Sequence, residues 1–423
     1  GTDDAPSTTA SGLMTGALTE GLNQSVSGSF SFTDVDLSDR PTAYIQSSSY
    51  TDIKSDGNPR NLSLDAKNQL GQGFSITPKD PSFGSNTNNG TISWSYSGID
   101  NNLGVIAGGD TVTANYVVAV KDGHGGVSTR TVTLTFTGVN SAPGLNPSQS
   151  PSLSDVNEDA SGPAGSVGTL VSSLLTGVSD ADADSVGGIA IIDTNATNGT
   201  LYYTIDNGAH WQPVGVVNAT HALLLGSDSQ TKLYFQPTTA NFNGSISDVL
   251  TFRAWDQTNT TSNSFQAGTY ATLDAGGGTS AYSTASDTVS ISVIPVNDAP
   301  TLTITTPDPN LYVQAGSAVI IDGSAVIEDV DLAVSNSNWN GSTLTVSRTT
   351  TASPNDVFGA SGIIAFSGSN VTRSGVTIGT FTQVGGILTI TFNNLATTSY
   401  VQDTLRNLTY SNTITTPGVL SYN

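Results

Sequence analysis

The chain has 423 residues, and its 12 Lys and Arg against 34 Asp and Glu give a formal charge of −22. This sign argues against nucleic acid and anionic membrane surfaces as partners, and it favours hard cations wherever carboxylates cluster. Cysteine is absent, which excludes disulfides, thiolate metal sites and cysteine nucleophiles. No apolar run approaches the roughly 20 residues of a membrane helix, so we predict no membrane insertion.

Alternation with a period of two residues predicts strands along the chain. The clearest, in order, are residues 110–120, 129–139, 248–256 and 287–296. In 129–139, Val132, Leu134 and Phe136 point to one face and threonines to the other, as in a half-buried antiparallel strand. Helical stripes longer than two turns are not expected. The sequence therefore predicts an all-β chain of tandem β-sandwich domains.

A short motif that ends in Ala-Pro and interrupts the strand pattern, called a stop below, recurs three times. Its copies are GTDDAP at 1–6, GVNSAP at 138–143 and SVIPVNDAP at 292–300. Each proline removes a backbone donor and favours an extended linker before it. The repetition predicts three domains, 1–143, 144–300 and 301–423. Because the third lacks the closing strands of the first two, we expect it to be incomplete at its C-terminus.

Each predicted domain carries an acidic loop thirty to forty residues after its stop: FTDVDLSD (32–39), VSDADADS (178–185) and IEDVDLAV (327–334). In the first two domains a late strand also runs into an Asp. Calcium takes about six to eight oxygen ligands, and two Asp separated by one residue can reach one ion. Asp also caps turns, which is the simpler explanation for a single copy. Recurrence in successive domains favours a metal.

These motifs carry a family likeness. The first domain, with GTISWSYSGID, AVKDGHGG and GVNSAP, resembles the VCBS repeat. The second, with NEDAS, SDADAD and FQPTTANFNGSISDVLTFRAWD, resembles bacterial cadherin-like repeats, and the third, with IEDVDL and LRNLTYSN, is similar to a related repeat. The resemblance implies cadherin-like or immunoglobulin-like sandwiches in a calcium-stiffened stalk of a large RTX-type bacterial surface adhesin, secreted to the cell surface.

The resemblance also implies calcium ligands residue by residue. The first set is Asp3, Asp4, Asp34, Asp36 and Asp122, with Glu20 as an additional candidate. The second set is Asn140, Asp180, Asp182 and Asp256, with Glu158 as an additional candidate. The third set is Asn297, Asp298, Asp329 and Asp331, with Glu328 as an additional candidate. The second set departs from the pattern, because Ser141 stands where Asp4 and Asp298 stand in the others.

Other residues are expected to serve the fold. TIDNGAHW at 204–211 predicts a hairpin, and the Gly/Ser-rich stretch 273–287 predicts a flexible loop. The three histidines are expected to be solvated or structural: His124, His210 and His221. The four tryptophans are expected in cores or hairpins: Trp94, Trp211, Trp255 and Trp339.

Two alternatives to a stalk stay open. One is a subunit of an extracellular filament, sheath or surface layer that assembles through sandwich contacts or strand donation. The other is a glycan-binding module in the second domain. An enzyme is the least favoured class, because the Gly-x-Ser-x-Gly nucleophile elbow, the Walker loop and the HExxH helix are missing from the sequence. The expected partners are calcium ions and neighbouring repeats of the same or an adjacent chain, with a surface glycan or host receptor contacted through other domains.

Overall fold

The computed structural model divides the chain into two compact units, residues 1–295 and 296–423, which are described in turn. It describes residues 2–21, 25–54, 57–77, 88–97, 104, 106–182, 187–258, 267–304, 316–335, 338–348 and 351–413. Both units consist mainly of β-strands, which confirms the predicted all-β fold. The prediction that the third domain is incomplete at its C-terminus concerns residues after 413, which lie outside the described residues. In the described part, no helix is long and apolar enough to cross a membrane.

The first domain is a two-sheet sandwich. Its strands are β1 Ser7–Ala10, β2 Thr15–Thr19, β3 Ser25–Thr33, β4 Thr42–Ile53, β5 Pro59–Arg60, β6 Phe74–Thr77, β7 Asn89–Ser97, β8 Thr111–Lys121 and β9 Val127–Thr137, with helix α1 Leu64–Gln72. One sheet has the order β1-β3-β7-β6 and the other the order β2-β9-β8-β4-β5. β2 runs parallel to β9, with Thr19 opposite Thr137.

The core of this domain follows the predicted alternation. Val132, Leu134 and Phe136 of β9 are fully buried between the sheets, while the threonines beside them are half-buried or exposed. Trp94 of the opposite sheet is also buried, and its indole Nε1 donates to the carbonyl oxygen of Leu13 at 2.9 Å. The prediction for this strand is confirmed.

The second domain lies in the same unit and has its own core. Its strands are β10 Gly144–Leu145, β11 Val156–Asn157, β12 Thr169–Leu170, β13 Val178–Ser179, β14 Gly188–Thr194, β15 Gly199–Thr204, β16 Gln212–Pro213, β17 Ala222–Gly226, β18 Lys232–Pro237, β19 Gly244–Trp255, β20 Thr269–Ala271 and β21 Tyr282–Ile294, with a 3₁₀-helix Val171–Leu175. A six-stranded sheet, β11-β21-β19-β14-β17-β20, faces the four-stranded sheet β12-β18-β15-β16. β11 runs parallel to the end of β21.

The Gly/Ser-rich stretch of this domain is more ordered than predicted. Residues 282–287 belong to β21. Residues 273–281 form a loop whose Leu273 and Ala281 pack with Leu224 and Trp255 on the outer face of the six-stranded sheet. Arg253 donates from Nη1 to the carbonyl oxygen of Asp274 at 2.9 Å and from Nη2 to that of Ala275 at 3.0 Å. The predicted loop is confirmed for residues 273–281, whereas residues 282–287 belong to β21 because they pair with β19.

The second unit has a separate core. Its elements are β22 Thr301–Thr303, β23 Val319–Ile320, β24 Val326–Glu328, α2 Val330–Ser335, β25 Thr343–Val346, β26 Asp356–Ala360, β27 Ile364–Ser367, β28 Asn370–Arg373, β29 Val376–Val384, β30 Ile387–Phe392, α3 Thr398–Arg406 and β31 Leu408–Asn412. The larger sheets are β25-β30-β29-β28-β27 and β23-β31-β26. Trp339, Ile390 and Leu405 are buried among the residues of this core.

Two helices exceed the predicted limit of two turns. α1 and α3 each span nine residues, or about 2.5 turns. Ser63 caps α1 through Oγ, which accepts from the Ala66 N–H, and Thr397 caps α3 in the same way. Short helices with a cap and only two or three buried side chains give a weak periodic signal, so the alternating strands around them dominate the pattern.

Candidate metal centres

One backbone hydrogen bond repeats at the start of all three domains. The Asp4 N–H donates to Oδ2 of Asp36 at 2.9 Å, and the Ser141 N–H donates to Oδ2 of Asp182 at 3.0 Å. Within the second unit, the Asp298 N–H donates to Oδ2 of Asp331 at 2.6 Å. The stop preceding each domain is therefore held by the second Asp of that domain's acidic loop. Ser141 makes this bond through its backbone, which is why a serine can stand there.

The first cluster lies at the end of the first domain where β3 ends and β8 turns into β9. One carboxylate oxygen from each of Asp34, Asp39 and Asp122 lies within 4.8 Å of the others, and all three side chains are buried. Asp34 Oδ1 accepts from the Asp36 N–H at 2.9 Å, which closes the acidic loop. The predicted pair Asp34 and Asp122 is thus brought together, with Asp4 attached through Asp36.

Two carboxyl groups at this cluster have shifted pKa values in opposite directions. Burial raises the pKa of Asp3, and the nearby charges of Asp122, Asp39 and Asp36 raise it further, whereas His124 acts to lower it. Burial also acts to raise the pKa of Asp122, but three backbone N–H groups of the following turn, from His124 to Gly126, donate to its Oδ1 and lower the pKa overall. Asp122 is therefore preorganised as an anion.

The second cluster joins the first and second domains. Asn140 of the linker donates from Nδ2 to Oδ2 of Asp256 at 2.9 Å and to the carbonyl oxygen of Ser280 at 3.0 Å. Asp180 Oδ1 accepts from the Asp182 N–H at 2.9 Å, the same loop closure as in the first cluster. Asp256 follows the last residue of β19 and is 3% exposed. Asn140 and Ser141 of the linker thus contact Asp256 and Asp182 directly, and Asp180 is connected to them through Asp182.

Crowding at the second cluster opposes ionisation. Burial, together with the charges of Asp180, Glu20 and Asp256, raises the pKa of Asp182 from 3.8 to about 7, although the hydrogen bond from the Ser141 N–H acts to lower it. Burial and the charge of Asp256 likewise raise the pKa of Asp180. Both carboxyl groups are therefore harder to ionise than an exposed Asp, and a cation beside them would favour their anionic forms.

Glu20 lies at the opposite end of the first domain from its predicted place. It follows β2, and its Oε2 accepts from the Val139 N–H at 2.9 Å, beside the linker to the second domain. β8 separates this end from Asp122 by 11 residues, or about 35 Å. Glu20 belongs with the second cluster, because β2 runs parallel to β9 and carries the chain across the sandwich.

Glu158 also lies away from its predicted place, because it follows a strand that runs parallel to the last strand of its domain. It follows β11, and its N–H donates to the carbonyl oxygen of Ile294, at the end of β21. Asn243 Nδ2 donates to its Oε2 at 3.0 Å. Asn243 precedes the 12-residue strand β19 and Asp256 follows it, so Glu158 lies at the far end of the second domain from Asp256. Its predicted place in the second cluster is wrong.

The third acidic motif differs locally from the other two. The predicted loop contains helix α2, and Asp329 Oδ1 accepts from the Leu332 N–H at 3.0 Å, as a helix N-cap does. Asp331 lies in the first turn of this helix, where it holds the Asp298 N–H. Glu328 is the exposed last residue of β24, and Asn297 donates from Nδ2 to the carbonyl oxygen of Asp298. Capping thus accounts for part of this motif.

Three residues of the first cluster were not predicted as part of it. Asp39 ends the quoted motif FTDVDLSD, and the turn formed by its N–H and the Asp36 carbonyl brings it back towards Asp34. His124 follows in DGHGG. A Cβ on Gly126 would lie 1.9 Å from Oδ2 of Asp122 and 2.7 Å from Cα of Ala5, so only glycine fits. The signals were present, as a third Asp and a Gly-rich turn, but spacing alone does not show that they converge.

Unpaired buried oxygens mark both clusters. Of ten buried side-chain N and O atoms without a hydrogen-bond partner in the described residues, six are at these clusters. They are Oδ2 of Asp34, Asp39, Asp122 and Asp180, Oδ1 of Asp182 and Oδ1 of Asn140. Unpaired buried carboxylate oxygens are costly and rare in folded proteins. Carboxylate and amide oxygens without donors fit the ligand preferences of calcium.

Comparison with known proteins concerns the fold. No family profile matches the chain, and no curated protein matches it. Among solved structures it is similar to protocadherin gammaB7 EC3–6, at 15% identity and a TM-score of 0.38, over 89% of this chain and 70% of that one. It is also similar to protocadherin gamma B2 extracellular cadherin domains 3–6 (13%, 0.35, 93% and 70%) and mouse cadherin-23 EC22–24 (14%, 0.30, 93% and 90%). The tandem β-sandwich assignment itself rests on the sheets described above.

Proposed function

We propose that the chain is a calcium-stiffened repeat segment of a large extracellular bacterial adhesin, with a mechanical rather than catalytic role. The observation that carries the proposal is the set of six unpaired buried oxygens at the two clusters. The extracellular bacterial location is supported by the resemblance to VCBS and cadherin-like repeats, by the absence of cysteine and by the charge of −22.

The second cluster would convert calcium binding into stiffness. Its candidate ligands come from three parts of the unit: Glu20 from the first domain, Asn140 from the linker, and Asp180, Asp182 and Asp256 from the second domain. A cation among them would bridge both domains. Without it, two unit charges about 4 Å apart repel by about 4 kcal/mol at an effective dielectric of about 20. The joint would then open to hydrate its carboxylates.

The Asn140 side chain would stabilise the joint both without calcium and with it. Its Nδ2 donates to Asp256 and to the Ser280 carbonyl, so the linker is already attached to the second domain. Its buried Oδ1 has no hydrogen-bond partner and would serve as a neutral oxygen ligand for calcium. The Ala142 N–H adds a bond to the Gly278 carbonyl at 2.9 Å. Calcium would complete a joint that is partly formed.

Calorimetry with calcium and with chelator tests this proposal. We expect calcium at about 100 times its Kd to stabilise the second domain by about 2.7 kcal/mol per site. Asp182→Asn should abolish most of this gain. Asp193→Asn is the matched control, because Asp193 is exposed and its side chain accepts from the N–H of the neighbouring Thr194. An equal response to calcium in both variants would contradict the proposal.

A further inference from the structure

The first cluster differs from the second in having an imidazole beside it. His124 lies in the turn between β8 and β9, and its Nδ1 is 3.4 Å from Oδ1 of Asp39 and 4.0 Å from Oδ1 of Asp3. Its backbone N–H donates to Oδ1 of Asp122 at 2.7 Å, which fixes the position of the turn. The ring is 63% exposed and the Asp39 side chain 3% exposed, so the set has a solvent-facing and a buried side.

The spacing of these three atoms fits a small ion. Zinc binds nitrogen and oxygen ligands at about 2.0–2.2 Å, which places two ligands of a tetrahedral site about 3.4 Å apart. The separation of His124 Nδ1 from Asp39 Oδ1 equals this value. Asp3 is 43% exposed and needs to move by about half an ångström to match it. Asp39 is buried and its Oδ2 has no hydrogen-bond partner, so the protein alone does not satisfy this carboxylate.

Ligand chemistry distinguishes this set from a calcium site. Calcium takes oxygen ligands, whereas imidazole nitrogen suits zinc, nickel and copper. We infer that Asp3, Asp39 and His124 form a three-ligand site for a divalent transition ion of the zinc class, with its remaining position open to water. The site shares Asp39 with the carboxylate cluster proposed for calcium, and Asp3 is also a calcium ligand predicted from the sequence, so the two ions compete there, but zinc binding does not require that calcium binds.

The other histidines lack such surroundings in the described part of the chain. His210 Nδ1 contacts Oδ2 of Asp206 at 2.5 Å, and no third ligand atom joins this pair. His221 stacks on Tyr270 with ring centroids 4.3 Å apart. His210→Ala is therefore a matched control: it removes an exposed histidine that faces one carboxylate.

Isothermal titration with zinc chloride, in buffer free of calcium and chelator, tests the inference. The wild type and His210→Ala should each bind one ion at this site with the same affinity, and His124→Ala should weaken binding at least about tenfold. Asp39→Asn should weaken it similarly. Unchanged zinc affinity in His124→Ala would overturn the inference.

Two further measurements keep the outcome unambiguous. Calcium titration of His124→Ala should match the wild type, so that failure of the zinc site and failure of the calcium proposal are separable. In NMR spectra of the wild type, added Ni²⁺ should broaden the ring proton signals of one of the three histidines. The same signals should be absent from the spectrum of His124→Ala, which assigns them to His124. Equal broadening of all three signals would show surface binding only and would overturn the inference, even if a variant failed to fold.

Discussion

The stability of the metal-free protein should fall as pH rises towards neutrality, and Asp182→Asn should remove much of this dependence. The pKa of Asp182 in the folded chain is about 7, against an ordinary value of 3.8, because of burial and then the neighbouring carboxylates. Between about pH 4 and 7 the folded chain therefore holds a proton that the unfolded chain has released. Stability is unaffected below pH 4, declines through this window, and carries the full penalty above pH 7.

The size of the effect follows from the shift. One proton changes the free energy of unfolding by about 1.4 kcal/mol per pH unit, so three units set an upper limit of about 4 kcal/mol. Water entering the joint would reduce this to roughly 2 kcal/mol. Asparagine carries no charge at any of these pH values, and its Oδ1 can still accept from the Ser141 N–H. The variant should therefore be more stable than the wild type in chelator at pH 8, by roughly 2 kcal/mol.

The assay must report on the second domain alone, because several domains do not unfold as one two-state system. Hydrogen exchange of the strand Gly244–Trp255 during urea unfolding, in EGTA from pH 5 to 8, meets this need. Asp193→Asn should follow the wild-type profile. Parallel profiles for the wild type and Asp182→Asn, or a less stable Asp182→Asn in EGTA at pH 8, would refute the reasoning.

Three other predictions concern interactions that stabilise the individual domains. Gly28→Ala should cost the first domain about 2–3 kcal/mol in calorimetry, because the new Cβ would lie 2.1 Å from a carbonyl oxygen; a loss below 1 kcal/mol would contradict this. Arg348→Met should cost the second unit about 3 kcal/mol in urea unfolding by leaving the buried Asp356 without its cation, whereas an unchanged midpoint would show that the pair contributes little. Arg253→Met should speed hydrogen exchange of residues 274–281 about tenfold by releasing their carbonyls, and unaltered exchange would mean that packing alone holds the loop.

Strands were the most predictable part of the molecule. Val289, Ile291 and Val293 alternate with polar residues, and all three are buried in β21, as predicted. Period-two alternation is a direct consequence of the pleat, so it can be read without knowing the partner strand. Trp94, Trp255 and Trp339 are buried in cores, also as predicted.

The placement of Glu20 and Glu158 could not be read from local pattern. Both follow a short strand that runs parallel to the last strand of its domain, so each side chain lies one sandwich length from where sequence proximity suggests. Strand direction in a sandwich depends on pairing between residues more than 100 positions apart, and periodicity carries no information about it.

The meeting of loops that are distant in sequence was the other feature of the site that could not be predicted. Asp39 and His124 are 85 positions apart, and they meet because β3 and β8 both end at the same edge of the first domain. A motif search weighs each residue within its own loop, where His124 is simply part of a turn. The recurrent Asp pairs were found because each pair is local, whereas the third carboxylate and the imidazole depend on the tertiary fold.

The central claim is that a divalent cation fixes the joint between the first and second domains. Because the chain has no cysteine, Ser49→Cys on β4 and Ser245→Cys on β19 provide exposed positions for a pair of spin labels, one on each domain. Pulsed electron spin resonance then measures the distribution of the distance between them. We expect a narrow distribution with calcium, a broad one with EGTA, and a distribution that does not respond to calcium in Asp182→Asn. A distribution that stays equally narrow or equally broad with and without calcium would contradict it.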